Sequence, residues 1–547
     1  MMEHIKEYEE TITIQEACFY GFFILLSLAK GFGFYEGQKV FYLLVAPALV
    51  LGFLKILLTP YTKRQAVVQV LLLALVAVVY FESRQIAIFF VAFTVLGMKD
   101  IPMKKVLHIA LWVWAVCAVL LSAVSFFFLE HTVYRVHAKL GLGHIFRWSL
   151  GFTHPNILHI TYLMLCALTI LTMEKRYGWK AYFLLMLGNF LVFFYSVSYT
   201  GFGMVAVLLT GGLYVRLRPR FCFVEKLLAN LVLPACLLLS FVLPYFLYDY
   251  FSLIRFFGMP WIGIWTHQLN RLLNTRIWLA EQFLKSGYTS LFGTDVSQVV
   301  NASMNMDCSY IWCYINYGLV FTAVIMLGYF VLLIYDTRRQ RTRELVVLVC
   351  FLAAGWTEQL LFNSSFKNIT LLFLGEVLFL QKEGETEYSL LSLVPERWRM
   401  ITIPLAKLPD WLLAVTCTAF RGNKGKLYVC AAGGALAGLL LCALLYSAPE
   451  GYVVQRFYTD AQEETSVYLE SEDDPAYDGY RVMNYRDAQT PMQIVSGKAV
   501  KLETARYYVG SALLGALSGA GLAVLWHMGR WRKKSALAVT KISGYDQ

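Results

Sequence analysis

Unbroken apolar runs of about 20 residues recur along this chain, the length a helix needs to cross the ~30 Å hydrocarbon core of a bilayer. In lipid every backbone N–H and C=O must be satisfied inside the protein, so runs of this kind resolve into transmembrane helices. They fall near 14–31, 39–58, 66–82, 84–98, 105–129, 155–172, 179–197, 200–216, 226–247, 308–334, 344–362 and 365–381. A further pair follows near 427–447 and 504–529. The pattern predicts an all-α polytopic membrane protein, with a core of about twelve spans and a C-terminal two-span hairpin. The run 84–98 is short and is expected to be tilted or incomplete. Composition agrees: 58% of the 547 residues are hydrophobic and only 15% charged, against about 25% in soluble chains.

The net charge of +11 does not point to nucleic acid, because the positive residues sit in short loops between spans. Lys63-Arg64, Lys99 with Lys104 and Lys105, Lys175-Arg176 with Lys180, Arg216 with Arg218 and Arg220, and Arg338-Arg339 with Arg341 and Arg343 all fall on one side when the spans are counted. The positive-inside rule makes that side the cytoplasm. The tail Arg530-Trp531-Arg532-Lys533-Lys534 falls there too, so both termini are expected to be cytoplasmic. Most of the eleven cysteines lie inside apolar runs, where they serve as small packing residues rather than a disulfide framework. Met1 to Gln15 is polar and acidic without the basic start of a signal peptide, so the first span is expected to be retained.

Three segments follow from this count. Residues 1–381 form the core, with a large extracytoplasmic loop at 248–307. Residues 382–425 form a cytoplasmic linker; its Trp398, Trp411, Pro395, Pro404 and Pro409 among apolar and basic residues suggest an interfacial amphipathic stretch. Residues 426–547 form the hairpin, whose outer segment 448–503 is acidic, with Glu463-Glu464 and Glu472-Asp473-Asp474. That segment reads either as a solvated loop kept clear of anionic lipid or as a docking or length-regulating module. In the hairpin, Gly433, Gly434, Gly438, Gly510, Gly515, Gly519 and Gly521 are small enough for close helix packing.

Polar interruptions locate the chemistry. The run Arg147-Trp148-Ser149-Leu150-Gly151-Phe152-Thr153-His154-Pro155-Asn156 directly precedes a span, and Pro155 suits a first helical turn. On the same side, 267–281 carries His267, Asn270, Arg271 and Arg276. As a continuous amphipathic helix along the membrane surface it would present arginines that bind an anionic headgroup bidentately, or that merely snorkel to lipid phosphates. Asp307 stands at the outer entrance of the span that begins with Ser309 and Tyr310, as a general base or as a helix N-cap. Glu358 is the clearest intramembrane charge, a functional candidate or half of a structural pair with Lys367. His154 could transfer a proton or act as a hydrogen-bonding anchor. No metal-ligand spacing and no phosphate-cradling glycine loop occurs, so neither a metal nor another cofactor is expected.

Taken together, Gly151-Phe152-Thr153-His154-Pro155-Asn156, then Arg276, Gly293 and Asp307 with Ser309-Tyr310, then Glu358 with Asn363, resemble motifs of O-antigen polymerase and ligase-like membrane proteins. The likeness is strongest to capsule and exopolysaccharide polymerases of Gram-positive bacteria and covers roughly 14–381. It implies a glycosyltransferase in the bacterial plasma membrane that joins undecaprenyl-diphosphate-linked oligosaccharide repeats at the outer face, without a metal or a nucleotide. Its partners would be that lipid-linked substrate, membrane lipids, and assembly proteins such as a flippase and a chain-length regulator. Arg147, Arg276 and Arg271 would then bind the diphosphate; Asp307, His154 and Glu358 compete as catalytic groups; Asn156, Tyr199, Tyr310 and Asn363 would meet sugar. Several relatives carry arginine on the short turn where this chain has Ser196-Val197-Ser198-Tyr199-Thr200-Gly201, which puts a clamp of several arginines in doubt. The hairpin has the layout of chain-length regulators. A ligase acting on another acceptor, or a transporter of lipid-linked sugars, is the alternative; a transporter would place its charges along a path near mid-membrane.

Overall fold

The computed structural model describes residues 9–127, 134–138, 140–142, 144–244, 260–273, 275–296, 306–380, 386–404, 424–456, 480–483, 490–494 and 497–543. Helices stand at each of the fourteen expected positions. In order they are α1 (Ile14–Gly31), α2 (Lys39–Leu58), α3 (Lys63–Ser83), α4 (Ala87–Leu96), α5 (Met103–Phe127), α6 (Pro155–Met173), α7 (Trp179–Ser196), α8 (Tyr199–Leu217) and α9 (Phe223–Val242). Two helices that follow α9, α10 (Pro260–Leu272) and α11 (Arg276–Lys285), precede α12 (Ser309–Arg339), α13 (Thr342–Thr357), α14 (Thr370–Leu378) and the hairpin helices α15 (Lys424–Leu445) and α16 (Gly497–Ser543). Among the described residues ten helices are long and apolar enough to cross a membrane.

The other four positions differ from full spans in instructive ways. α1 has 18 residues but carries Glu16 and Lys30 in its end turns, and α13 has 16 residues. α4 and α14 have 10 and 9 residues, which at 1.5 Å per residue reach only about half the hydrocarbon core. They pack on each other, with Gly375 of α14 against the Val95 carbonyl and Met98. Both are largely buried by neighbouring helices, so their ends lie within protein rather than lipid. Two of the expected core crossings are thus carried by half-length helices packed into the bundle: α4 lies between Ser83 and Lys99 and α14 between Glu358 and Glu387, so each run still links the two ends.

The basic loops gather at one end of the bundle. Lys104 of one loop pairs with Glu174 of another at 2.7 Å, and the Phe221 amide donates to Gln340 Oε1 at 2.9 Å. Four strands close the same end: β1 (Glu9–Thr13), β2 (Tyr61–Thr62), β5 (Glu387–Tyr388) and β6 (Met400–Pro404), with β3 and β4 described below. β1 pairs antiparallel with β6 and β2 with β5, and Lys99 Nζ reaches Glu387 at 2.6 Å. The described part of the linker is therefore strand-paired to the start of the chain. Its helical parts are short, a 3₁₀ turn at Leu390–Leu393 and a single α-turn at Glu396–Arg399; Pro409 and Trp411 lie outside the described residues.

A break in α12 shapes the other end of the bundle. Gly318 sits at φ 79° inside the helix, and the loop 290–294 fills the gap. The Leu319 amide donates to Ser290 O at 3.0 Å, the Val320 amide to Leu291 O at 3.1 Å, and the Thr294 amide to Ile315 O at 3.1 Å. Freed backbone groups are thus satisfied by protein, the condition for non-helical backbone at membrane depth. Gly293 (φ 98°) lies so close that an added Cβ would collide with the Asn316 carbonyl. Gly293→Ala and Gly318→Ala are each expected to lower the melting temperature of the purified protein, with a cost of about 1–3 kcal/mol from strain alone. Unchanged melting of both variants would contradict this arrangement.

In the hairpin, α15 and α16 approach through Gly434, Gly438, Gly515 and Gly519, each facing backbone of the other helix. Gly433 and Gly521 face open space, and Gly510 packs instead on Phe126 of α5. Between the helices, β7 (Gly451–Arg456) forms the centre of a sheet with β8 (Tyr480–Met483) and β9 (Thr490–Ile494). The acidic runs at Glu463 and Glu472 lie outside the described residues.

Candidate functional site

Arg276 is the first residue of α11. The expected continuous helix through 267–281 is interrupted: Thr275 adopts φ 64°, and the side chain of Asn270, one turn before the break, accepts from the amides of Ile277 and Trp278 at 3.0 and 3.1 Å. Asn270 thereby caps α11 and fixes where Arg276 projects. A cation at a helix N-terminus is disfavoured by the macrodipole, so its neighbours must supply the compensation. They do: Arg276 Nε meets Asp307 Oδ2 at 3.0 Å and Nη2 meets Glu358 Oε1 at 2.7 Å.

Glu358 caps the C-terminus of α13 in extended backbone. Its carboxylate also accepts from Thr200 Oγ1 at 2.8 Å and lies 3.4 Å from Asn156 Nδ2. Its backbone is held by Ser309, whose hydroxyl donates to Glu358 O at 2.6 Å and accepts from the Leu360 and Leu361 amides. The alternative pair with Lys367 does not form; Lys367 Nζ lies 5.1 Å over the Trp114 ring. Asp307 is not the N-cap of α12, a position held by Cys308.

The opposing half comes from a two-stranded ribbon, β3 (Tyr134–Ala138) and β4 (His144–Trp148), in which Arg135 is registered with Arg147. Arg147 Nε donates to Ser196 O at 2.8 Å and its Nη2 donates to Asn156 Oδ1. His154 is the N-cap of α6, its Nδ1 accepting from the Asn156 amide at 3.1 Å. That bond assigns the neutral tautomer with the proton on Nε2, so His154 is a donor at its other nitrogen rather than a base.

Arg147, Asn156, Glu358, Arg276 and Asp307 thus form one chain of contacts, at the end of the bundle opposite the basic loops. Its two arginines and two carboxylates balance. Side-chain exposure separates the carboxylates: 8% for Glu358 and 37% for Asp307, with Arg276 at 11%. Glu358 is engaged on every side by donors, whereas Asp307 opens to the exterior.

Four expected residues lie elsewhere. Arg271 is exposed on α10, separated from Arg276 by the helix break. Tyr199 is half exposed and packs on Phe193. Tyr310 is fully buried, its hydroxyl donating to Leu352 O at 2.7 Å, which makes it a packing residue rather than a sugar contact. Asn363 shapes its own turn through Gln359 O and Ser365. Thr200, Ser196, Ser309 and Asn270 belong to the site; the sequence shows them only as members of their motifs and assigns them no role, since small polar residues near span ends carry no periodic signal. The buried His159, between Ser196 Oγ at 3.1 Å and Asn189 Oδ1 at 2.8 Å, supports the Ser196 turn from beneath.

The hairpin reaches this site from behind. Side chains alternate along a strand, and Phe146 and Trp148 flank Arg147 on the other face of β4. Phe146 packs on Tyr452 of β7 at 5.0 Å and Trp148 on Tyr507 of α16 at 5.2 Å. Trp148 Nε1 donates to Glu503 Oε2 at 2.7 Å, Arg506 Nη1 to Phe146 O at 2.6 Å, and Arg506 Nε to Phe194 O at 2.8 Å. Glu503 and Arg506, which pair with each other, are buried.

These features define a multi-pass helical membrane protein in which Arg147, Arg276, Asp307 and Glu358 converge at one end of the bundle. Comparison with protein-family models, with curated proteins and with solved structures finds no match. Among the described residues no three His, Cys, Asp or Glu side chains gather as a metal site would require.

Proposed function

We propose that the protein is an outer-face glycosyltransferase that polymerises oligosaccharide repeats carried on a polyprenyl diphosphate in the bacterial plasma membrane. The observation that carries this reading is the junction of Arg276 with Asp307 and Glu358, three residues from separate segments joined by charge-assisted bonds. The end bearing it lies opposite the basic loops, which the positive-inside rule assigns to the cytoplasm.

In the transfer, the bond between the donor's anomeric carbon and the diphosphate oxygen breaks as an acceptor hydroxyl bonds to that carbon. Asp307, the exposed carboxylate, takes the hydroxyl proton. Arg147 and Arg276 offset the charge on the departing lipid diphosphate, as placed cations do in electrostatic catalysis. Glu358 holds Arg276 and Asn156 in position. Arg147, Arg276, Asp307 and Glu358 meet at one end rather than along a path through the bundle, which favours an enzyme over a transporter.

Purified protein incubated with a polyprenyl-diphosphate-linked repeat is expected to yield a ladder spaced by one repeat, with no added nucleotide. Transfer of one finished glycan to a different acceptor would assign a ligase instead. No transfer of either kind would overturn the enzyme reading.

A further inference from the structure

The turn between α7 and α8 touches both halves of the site. Ser196, the last residue of α7, offers its carbonyl to Arg147 Nε at 2.8 Å, and Thr200, in the first turn of α8, donates its hydroxyl to Glu358 at 2.8 Å. The chain makes this turn through an uncommon backbone. Val197 adopts φ 45° and ψ 45°, a left-handed conformation that a β-branched residue rarely takes. Such a conformation persists only where its surroundings over-determine it. Val197 itself packs with Ile145 of β4 and Ala499 of α16. The rest of the turn sits on His159 of α6.

His159 is fully buried, and its two ring nitrogens have fixed roles. Asn189 Nδ2 donates to Phe202 O at 3.1 Å, which turns Asn189 Oδ1 towards His159 Nε2 at 2.8 Å. An oxygen there can only accept, so Nε2 carries the proton and Nδ1 accepts from the Ser196 hydroxyl at 3.1 Å. Gly201 lies against the same ring: a Cβ added to it would stand 2.6 Å from His159 Cγ. His159 therefore meets the turn at both ends, at Ser196 and beside Thr200. Asn156 lies three residues earlier on the same face of α6 and contacts Arg147 and Glu358 directly.

We infer that His159 is a positioning residue, which fixes the turn from Ser196 to Gly201 and through it the placement of Arg147 against Glu358. It acts as a neutral ring with its proton on Nε2, accepting from Ser196 on one side and donating to Asn189 on the other. Its effect on glycan transfer rests on the function proposed above, whereas its hold on Arg147 does not.

Two amide replacements separate positioning from packing. An Asn side chain places its amide where Nδ1 stands and keeps an acceptor for Ser196. A Gln side chain, closer to His in volume, carries its amide out to the Nε2 position, towards Asn189. If His159 only filled space, His159→Gln would be the milder change; positioning reverses that order. Arg147 is 4% exposed, so its reactivity with phenylglyoxal, read by peptide mass spectrometry on the purified full chain, reports its placement without any substrate. Labelling at Arg147 is expected to rise several-fold in His159→Gln and to stay near wild type in His159→Asn. Ser196→Ala removes the hydroxyl but keeps the carbonyl that Arg147 uses; it is expected to match His159→Gln and to add little to it in the double variant. In the elongation assay kcat/KM is expected to fall about tenfold in His159→Gln and Ser196→Ala, and to remain within about threefold of wild type in His159→Asn. Labelling of Arg147 unchanged in both His159→Gln and Ser196→Ala, or stronger in His159→Asn than in His159→Gln, would overturn the positioning role. The expected order of labelling in a protein that shows no elongation would refute the glycan reading and leave the hold on Arg147 standing.

Discussion

Arg276→Ala is expected to abolish glycan elongation. The guanidinium joins Asp307 and Glu358 at 3.0 and 2.7 Å, so its loss removes the side chain that ties α11 to both the Asp307 turn and the end of α13. It also leaves two carboxylates facing each other, one of them buried. Removing one partner of a buried pair costs about 3–5 kcal/mol, so some of the lost activity would reflect stability. A second variant separates the effects. Arg276→Ala with Glu358→Gln removes the uncompensated charge and is expected to recover the melting temperature but not elongation. Arg276→Lys is expected to remain deficient, because an ammonium lacks the planar fork that spans two carboxylates. Normal-length polymer from Arg276→Ala in a membrane assay would rule out the site.

Glu503→Gln is the second large effect. Arg506 is fully buried, and Glu503 is its acidic partner. Neutralising that partner strands a buried cation at a cost of about 3–5 kcal/mol and is expected to loosen α16 from β4. Arg506 binds the carbonyl of Phe146, one residue before Arg147, so the change should reach the site through the strand. We expect elongation to fall about tenfold, corresponding to ~1.4 kcal/mol of transition-state stabilisation. Hairpin exposure to protease should rise in parallel. Glu503→Leu with Arg506→Leu replaces the pair by apolar side chains and is expected to restore docking. Deleting 427–529 should shift the polymer length distribution at least as far. Unchanged elongation and protease resistance in Glu503→Gln would show the hairpin to be an inert anchor.

The apolar runs located every membrane helix, within about five residues except for α16, which runs from Gly497 to Ser543 around the expected 504–529, because a bilayer imposes a length and a polarity that the sequence must carry openly. Arg147, Asn156, Arg276, Asp307 and Glu358 were legible for the same reason: ionised and amide groups beside such runs are costly and stand out. Tyr310 and Asn363 were read as sugar contacts on type and position alone, yet backbone carbonyls and a local turn account for them. Thr200, Ser309 and Asn270 stood in the motifs without a legible role, since their roles depend on which span ends meet.

What the sequence determined by itself is the class of protein and the identity of its ionised groups, both fixed by local composition. Tertiary structure alone decided that α14 is a half-length helix packed on the short α4, that the linker pairs with the N-terminal strand, and that the hairpin grips the strand bearing Arg147. Those outcomes depend on contacts across hundreds of residues, where burial and pairing are shared between segments and no single stretch of the chain records them.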